Sequence, residues 1–97
     1  MAHTTIGVCT IYLELPELTT LSERRGILRT LLAHLHKTYN VSAAEIALDH
    51  DSDTAVIAVA AVSNSRAHSD SVISKVLNWI EQHAHDVVVT DQEIEIF

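Results

Sequence analysis

Two segments of the chain are apolar at odd and even positions alike: Thr5–Leu15 reads TIGVCTIYLEL and Thr54–Val62 reads TAVIAVAAV. Side chains of a strand alternate between faces, so strands of this kind want cover on both sides and belong in the middle of a sheet. Pro16 closes the first of them. Thr20-Leu21-Ser22-Glu23 then has the spacing of a capping box, in which Thr20 accepts from the Glu23 amide and Glu23 reaches back. Behind it Leu21, Leu28, Leu31, Leu32, Leu35 and Tyr39 recur at helical spacing and predict a helix over 21–38. Val41–Leu48 is a weaker strand whose Glu45 suits an edge better than a centre. The polar run 49–53 joins it to Thr54–Val62 as a hairpin. Ser63-Asn64-Ser65 can cap a second helix over about 66–83, with Val72, Ile73, Val76, Trp79, Ile80 and His83 as its apolar stripe. Asp86–Phe97 closes the chain as a strand, with Val88, Thr90, Gln92, Ile94 and Ile96 expected on one face.

The predicted order is β-α-β-β-α-β. This is an α+β, ferredoxin-like pattern: a four-stranded antiparallel sheet with both helices on one face. One domain accounts for residues 1–97. On the first strand Cys9, Ile11, Leu13 and Leu15 are assigned to the helix side, and Ile6, Val8, Thr10 and Tyr12 to the open side. Both sets are apolar, so the inverse assignment stands as an alternative. Either way one apolar face lacks a helix, which points to a partner surface centred on Ile6, Val8 and Tyr12, most simply a homodimer.

Composition narrows the function classes. Six Lys and Arg stand against thirteen Asp and Glu, a net charge of −7, so free nucleic acid is a poor partner. Aromatics are only 4% of the chain, and strand one offers Tyr12 alone, which removes base stacking on the central strands. The single cysteine, Cys9, forms no intrachain disulfide and is expected to be a small buried thiol. The start of the chain has no signal-peptide pattern, and no apolar run reaches the ~20 residues of a membrane span, so a cytoplasmic location without a membrane contact is expected.

The chain resembles the YlxP-like family, a bacterial domain of unknown function. The resemblance is carried by Ile6-Gly7-Val8-Cys9, Leu21-Ser22-Glu23-Arg24-Arg25, Asn40-Val41-Ser42-Ala43-Ala44-Glu45, Val62-Ser63-Asn64-Ser65-Arg66-Ala67-His68 and Glu93-Ile94-Glu95-Ile96. It implies a ferredoxin-like fold and a setting among translation and ribosome-maturation genes, with a ribosome-associated protein or rRNA as partner. Two places depart from the family pattern. The Ser-Leu-Lys-x-Lys-Arg start of helix one has become Thr20-Leu21-Ser22-Glu23-Arg24-Arg25, and Asp-Leu-Trp-Gln in the hairpin has become His50-Asp51-Ser52-Asp53. Any acidic partner held through these two places should be bound less well here.

Four of the six cations, Arg24, Arg25, Arg29 and Lys37, fall in helix one. Arg24 and Arg25 occupy its first turns, where the helix dipole disfavours positive charge. With Ser22 and the free amides of the helix start they form a candidate partner or anion contact, together with Arg29. The structural alternative is ion pairing with Glu93 or Glu95 of the last strand. Asp49, His50, Asp51 and Asp53 lack the glycine and distal glutamate of a calcium loop and read as a solvated turn. His34/His36 and His83/His85 are i,i+2 pairs that diverge on a helix and lack nearby cysteines, so no metal is assigned. His83 is instead expected on the core stripe, and Trp79 in packing. His68 and Asp70 have no nucleophile or phosphate loop beside them and are explained by helix capping and solvation. No cofactor and no enzymatic activity are inferred. The reading is a small interaction protein, with a dimeric sensor of an anionic metabolite as the alternative.

Overall fold

The computed structural model describes residues 2–17, 19–49 and 51–97. The chain runs β1 (Thr5–Glu14), α1 (Leu21–Thr38), β2 (Ser42–Leu48), β3 (Thr54–Ser63), α2 (Arg66–His83) and β4 (Val88–Ile96). The four strands form one sheet in the order β2-β3-β1-β4, every neighbour antiparallel. The doubly apolar β1 and β3 are central and β2 is an edge, as their sequences predict. The fold is thus the ferredoxin-like α+β arrangement.

The two faces of β1 are assigned as expected. Cys9, Ile11, Leu13 and Leu15 are buried under the helices with Leu28, Leu31 and Leu35 of α1 and Ile73, Val76, Leu77 and Ile80 of α2. The capping box is present in both directions: Glu23 N donates to Thr20 Oγ1 at 3.1 Å, and Thr20 N donates to Glu23 Oε1 at 3.2 Å. Two orphan amides at the start of α1 are thereby satisfied. Gly7, on the helix side of β1, lets α2 approach closely. A Cβ there would lie 2.8 Å from Ile73 Cδ1 and 3.2 Å from Ser69 Cβ.

Two expectations are corrected. His83 is exposed, and the inner row of α2 is Ser69, Ile73, Val76, Leu77 and Ile80. The expected stripe mixed this row with the flank formed by Val72, Trp79 and His83, because Ser69 hides the row's first position behind a polar name. On β4, the pairing with β1 slips between Tyr12 and Leu13, so that Tyr12 faces Asp91 and Leu13 faces Val89. Thr90 is the extra residue, and its hydroxyl donates to the Tyr12 carbonyl at 3.2 Å. This bulge turns Val88 to the opposite face from Ile94. Val88 is exposed, while Val89 packs on the core.

Candidate functional site

The open face of the sheet is set by the register. Pairs opposite one another share a face, so each open-face residue of β1 brings its partners with it. Ile6 lies beside Val62, Val8 between Ala60 and Glu95, Thr10 between Ala58 and Glu93, and Tyr12 between Val56 and Asp91. β2 adds Ser42 and Ala44, opposite Ala60 and Ala58. Ile6, Val8 and Tyr12 are therefore brought together as their alternation predicts. Ile6 is 37% exposed and Val62 65%, and Val8 and Tyr12 are half-buried.

Sequence reasoning did not foresee the charge on this face. Ile94 pairs with Cys9 on the helix side, so Glu93 and Glu95 must point the other way, with Asp91 beside them. The face is an apolar field over β2, β3 and β1, bordered along β4 by Asp91, Glu93 and Glu95 and at the end of β1 by the exposed Glu14, and none of the residues named on it is a cation. Phosphate is repelled from it, so a contact with RNA has to use another side of the molecule.

The candidate cations lie on α1, and its arginines divide. Arg24 is engaged within the chain. Its Nε donates to Thr19 Oγ1 at 3.0 Å, Nη1 to the Ser52 carbonyl at 2.9 Å and Nη2 to Asp53 Oδ1 at 2.7 Å. The side chain is 11% exposed and its carboxylate partner 31%. The structural explanation for this arginine is thus an ion pair, with Asp53 in place of the expected Glu93 or Glu95, which the β4 register sends to the open face. The guanidinium fork ties the start of α1 to the β2–β3 hairpin. Arg25 and Arg29 are exposed and have no ion pair among the described residues. With Leu32 and Glu45 they line a hollow of about 370 Å³. Ser22 is exposed in the first turn of α1.

A second, larger cleft of about 870 Å³ opens between the first half of α1 and the end of α2. α1 packs mainly over β2, whereas α2 packs over β1, β3 and β4, which leaves a trough between the helices. Trp79 bridges it, stacked on His34 at 3.7 Å between ring centres and on His83 at 5.6 Å. The expected packing role of Trp79 takes this form. His36 is used elsewhere: its Nε2 lies 2.9 Å from the carbonyl oxygen and 3.1 Å from the amide nitrogen of Ala43, at the start of β2.

The remaining candidates carry less. In the hairpin, Asp49 Oδ1 accepts from the Asp51 amide at 2.9 Å, and Asp53 holds Arg24. His50 lies outside the described residues. No group of three or more His, Cys, Asp or Glu is placed to hold a metal among the described residues. Cys9 is buried, and burial pushes its thiol up to about 11, so it stays protonated and is a poor nucleophile at neutral pH. His68 and Asp70 are exposed, and Ser65 Oγ caps α2 by accepting from the His68 amide at 3.3 Å.

Fold and faces together define an open-faced α+β sandwich with an apolar, acid-bordered sheet and a short cationic strip on its first helix. The chain belongs to the family described as "Protein of unknown function (DUF503)", which it matches over residues 6–94. No curated protein matches it. Among solved structures it is similar to the de novo designed protein Foldit4, over 98% of this chain and 97% of that one, with a TM-score of 0.55 and 8% identity. It is also similar to a C-terminal segment of the alpha subunit of aIF2 from Pyrococcus abyssi. That match covers 100% of this chain and 51% of that one, with a TM-score of 0.49 and 13% identity. At these identities the likenesses concern the fold alone. No helix among the described residues is long and apolar enough to cross a membrane.

Proposed function

We propose that the chain is a non-catalytic interaction protein with two working surfaces. The open sheet face joins it to a second copy, and the Arg25–Arg29 strip of α1 meets an anionic partner. The observation that carries this reading is the apolar field around Ile6, Val8, Tyr12 and Val62, which no helix covers. The YlxP-like resemblance supplies the setting: a cytoplasmic protein of ribosome maturation or translation, whose anionic partner is rRNA or a ribosome-associated protein. Two exposed arginines hold such a partner only within a larger assembly, because so few phosphate contacts bind naked RNA weakly.

Co-sedimentation with small ribosomal subunits at physiological salt tests this. The wild-type chain is expected in the subunit fraction, and the double substitution Arg25→Ala, Arg29→Ala is expected to leave it. A clean absence of the wild-type chain, in lysate as well, overturns the ribosomal setting. The hollow formed by Arg25, Arg29, Leu32 and Glu45 favours one second reading, a dimeric sensor of a small anionic metabolite. A thermal-shift gain with a phosphorylated metabolite, lost in Arg25→Ala, would select it.

A further inference from the structure

We infer how the second copy sits: it docks face to face on a two-fold axis that runs along β3 past Ala58 and Ala60, with the β4 carboxylates of both copies outside the contact. This rests on the self-association proposed above, and it fixes which residues meet.

Two identical sheets stacked face to face are related by a two-fold axis lying in the plane between them. If the axis is perpendicular to the strands, each strand lies over its own counterpart wherever the axis is placed. Asp91, Glu93 and Glu95 of one copy would then face the same three residues of the other, taken out of water with no cation on the face to offset them. Like-charge juxtaposition disfavours that arrangement. If the axis is parallel to the strands, its lateral position is free. Placed over β3, it sets β2 of one copy over β1 of the other and carries each β4 past the partner's edge, where its carboxylates stay hydrated as a polar rim.

The side chains along β3 fit this placement. Its open-face residues are Val56, Ala58, Ala60 and Val62, and Ala44 of β2 lies opposite Ala58. Alanines at the centre let the two sheets come close, and the larger valines at either end fill the space where twisted sheets diverge. Strands of ten, ten and seven residues, at roughly 3.3 Å per residue and about 4.8 Å apart, cover on the order of 430 Å² per copy. The pair buries about 850 Å², well below the ~1,200 Å² at which specific stable interfaces begin and in the range of weak, transient contacts. The dimer is therefore reversible and concentration-dependent.

A residue on a two-fold axis meets itself, which gives the test. Sedimentation velocity is measured on the wild-type chain, on Ala58→Asp, on Ala58→Lys and on their equimolar mixture, with folding checked by circular dichroism. The wild type is expected to dimerise, each variant alone to be monomeric, and the mixture to recover a dimer through an Asp–Lys contact. If either charge at position 58 fails to fold, the same pair at Ala60 replaces it. A dimeric wild type whose position-58 variants still self-associate, or whose mixture does not recover, overturns the β3 axis while self-association stands. A wild type monomeric throughout overturns self-association itself. The triple substitution Asp91→Asn, Glu93→Gln, Glu95→Gln is expected to change dimer affinity less than threefold, whereas tightening of tenfold or more would place β4 on β4 and refute the inference.

Discussion

Replacing Arg24 by Ala should unfold the chain far more readily than replacing either neighbouring arginine. Its guanidinium makes three hydrogen bonds, to Thr19, Ser52 and Asp53, from a side chain only 11% exposed. The Asp53 ion pair counts near the surface value of about 1 kcal/mol, because that carboxylate is almost a third exposed and regains water once the arginine is gone. The bonds to Thr19 and Ser52 add about 1 kcal/mol each. Removing a cation from the first turn of α1 returns roughly 0.5 kcal/mol through the helix dipole. The net loss is about 2.5 kcal/mol, which for a domain of this size lowers Tm by about 12 °C. Urea unfolding followed by far-UV circular dichroism measures it. Arg25→Ala and Arg29→Ala should stay within about 0.5 kcal/mol of wild type, as exposed substitutions do. Coupling between Arg24→Ala and Asp53→Ala in a double-mutant cycle should be about 1 kcal/mol. If Arg24→Ala leaves stability unchanged while Arg25→Ala lowers it, the division of the arginines into one structural clamp and two free cations is wrong.

Gly7→Ala should cost about 1–2 kcal/mol in the same assay, from overpacking partly offset by the lost glycine entropy. Ile73→Val removes the Cδ1 that lies 2.8 Å from the added methyl, so the double variant should be more stable than the two single costs combined. Ser69→Ala should raise stability by about 1 kcal/mol, because the buried Ser69 hydroxyl has no hydrogen-bond partner among the described residues. Between pH 9 and 11 the unfolded chain loses the Cys9 proton and the folded chain keeps it. Stability should therefore fall as pH rises through that window, by up to about 3 kcal/mol, and be complete below pH 9. The same titration of Cys9→Ala should lack this component, and an identical slope in both proteins would contradict the burial of a neutral thiol.

The fold was legible where local signals coincide. Pro16, the Thr20–Glu23 box and the leucines at 28, 31 and 35 each mark the β1–α1 unit independently, and the double apolar character of β1 and β3 places them centrally. What depends on pairing was not legible. The Thr90 bulge exists only against Tyr12 and Leu13, so β4 alone reads as a simple alternation that puts Val88 with Ile94. The same register sends Glu93 and Glu95 to the open face, which is why they are unavailable to Arg24. Arg24 finds Asp53 because the hairpin folds back beside the start of α1, a proximity that no local spacing encodes. The open-face residues of β1 were found because alternation within one strand suffices. The acidic border of that face was missed because it belongs to the register between two.

The central claim, that the uncovered sheet face is an association surface, is tested most directly by light scattering of the wild-type chain over a wide concentration range. The account requires a mass that rises from the 10.7 kDa of one chain toward twice that value, and that stays at one chain when Val62→Asp is placed on the face. A wild-type mass fixed at one chain up to millimolar concentration would contradict it.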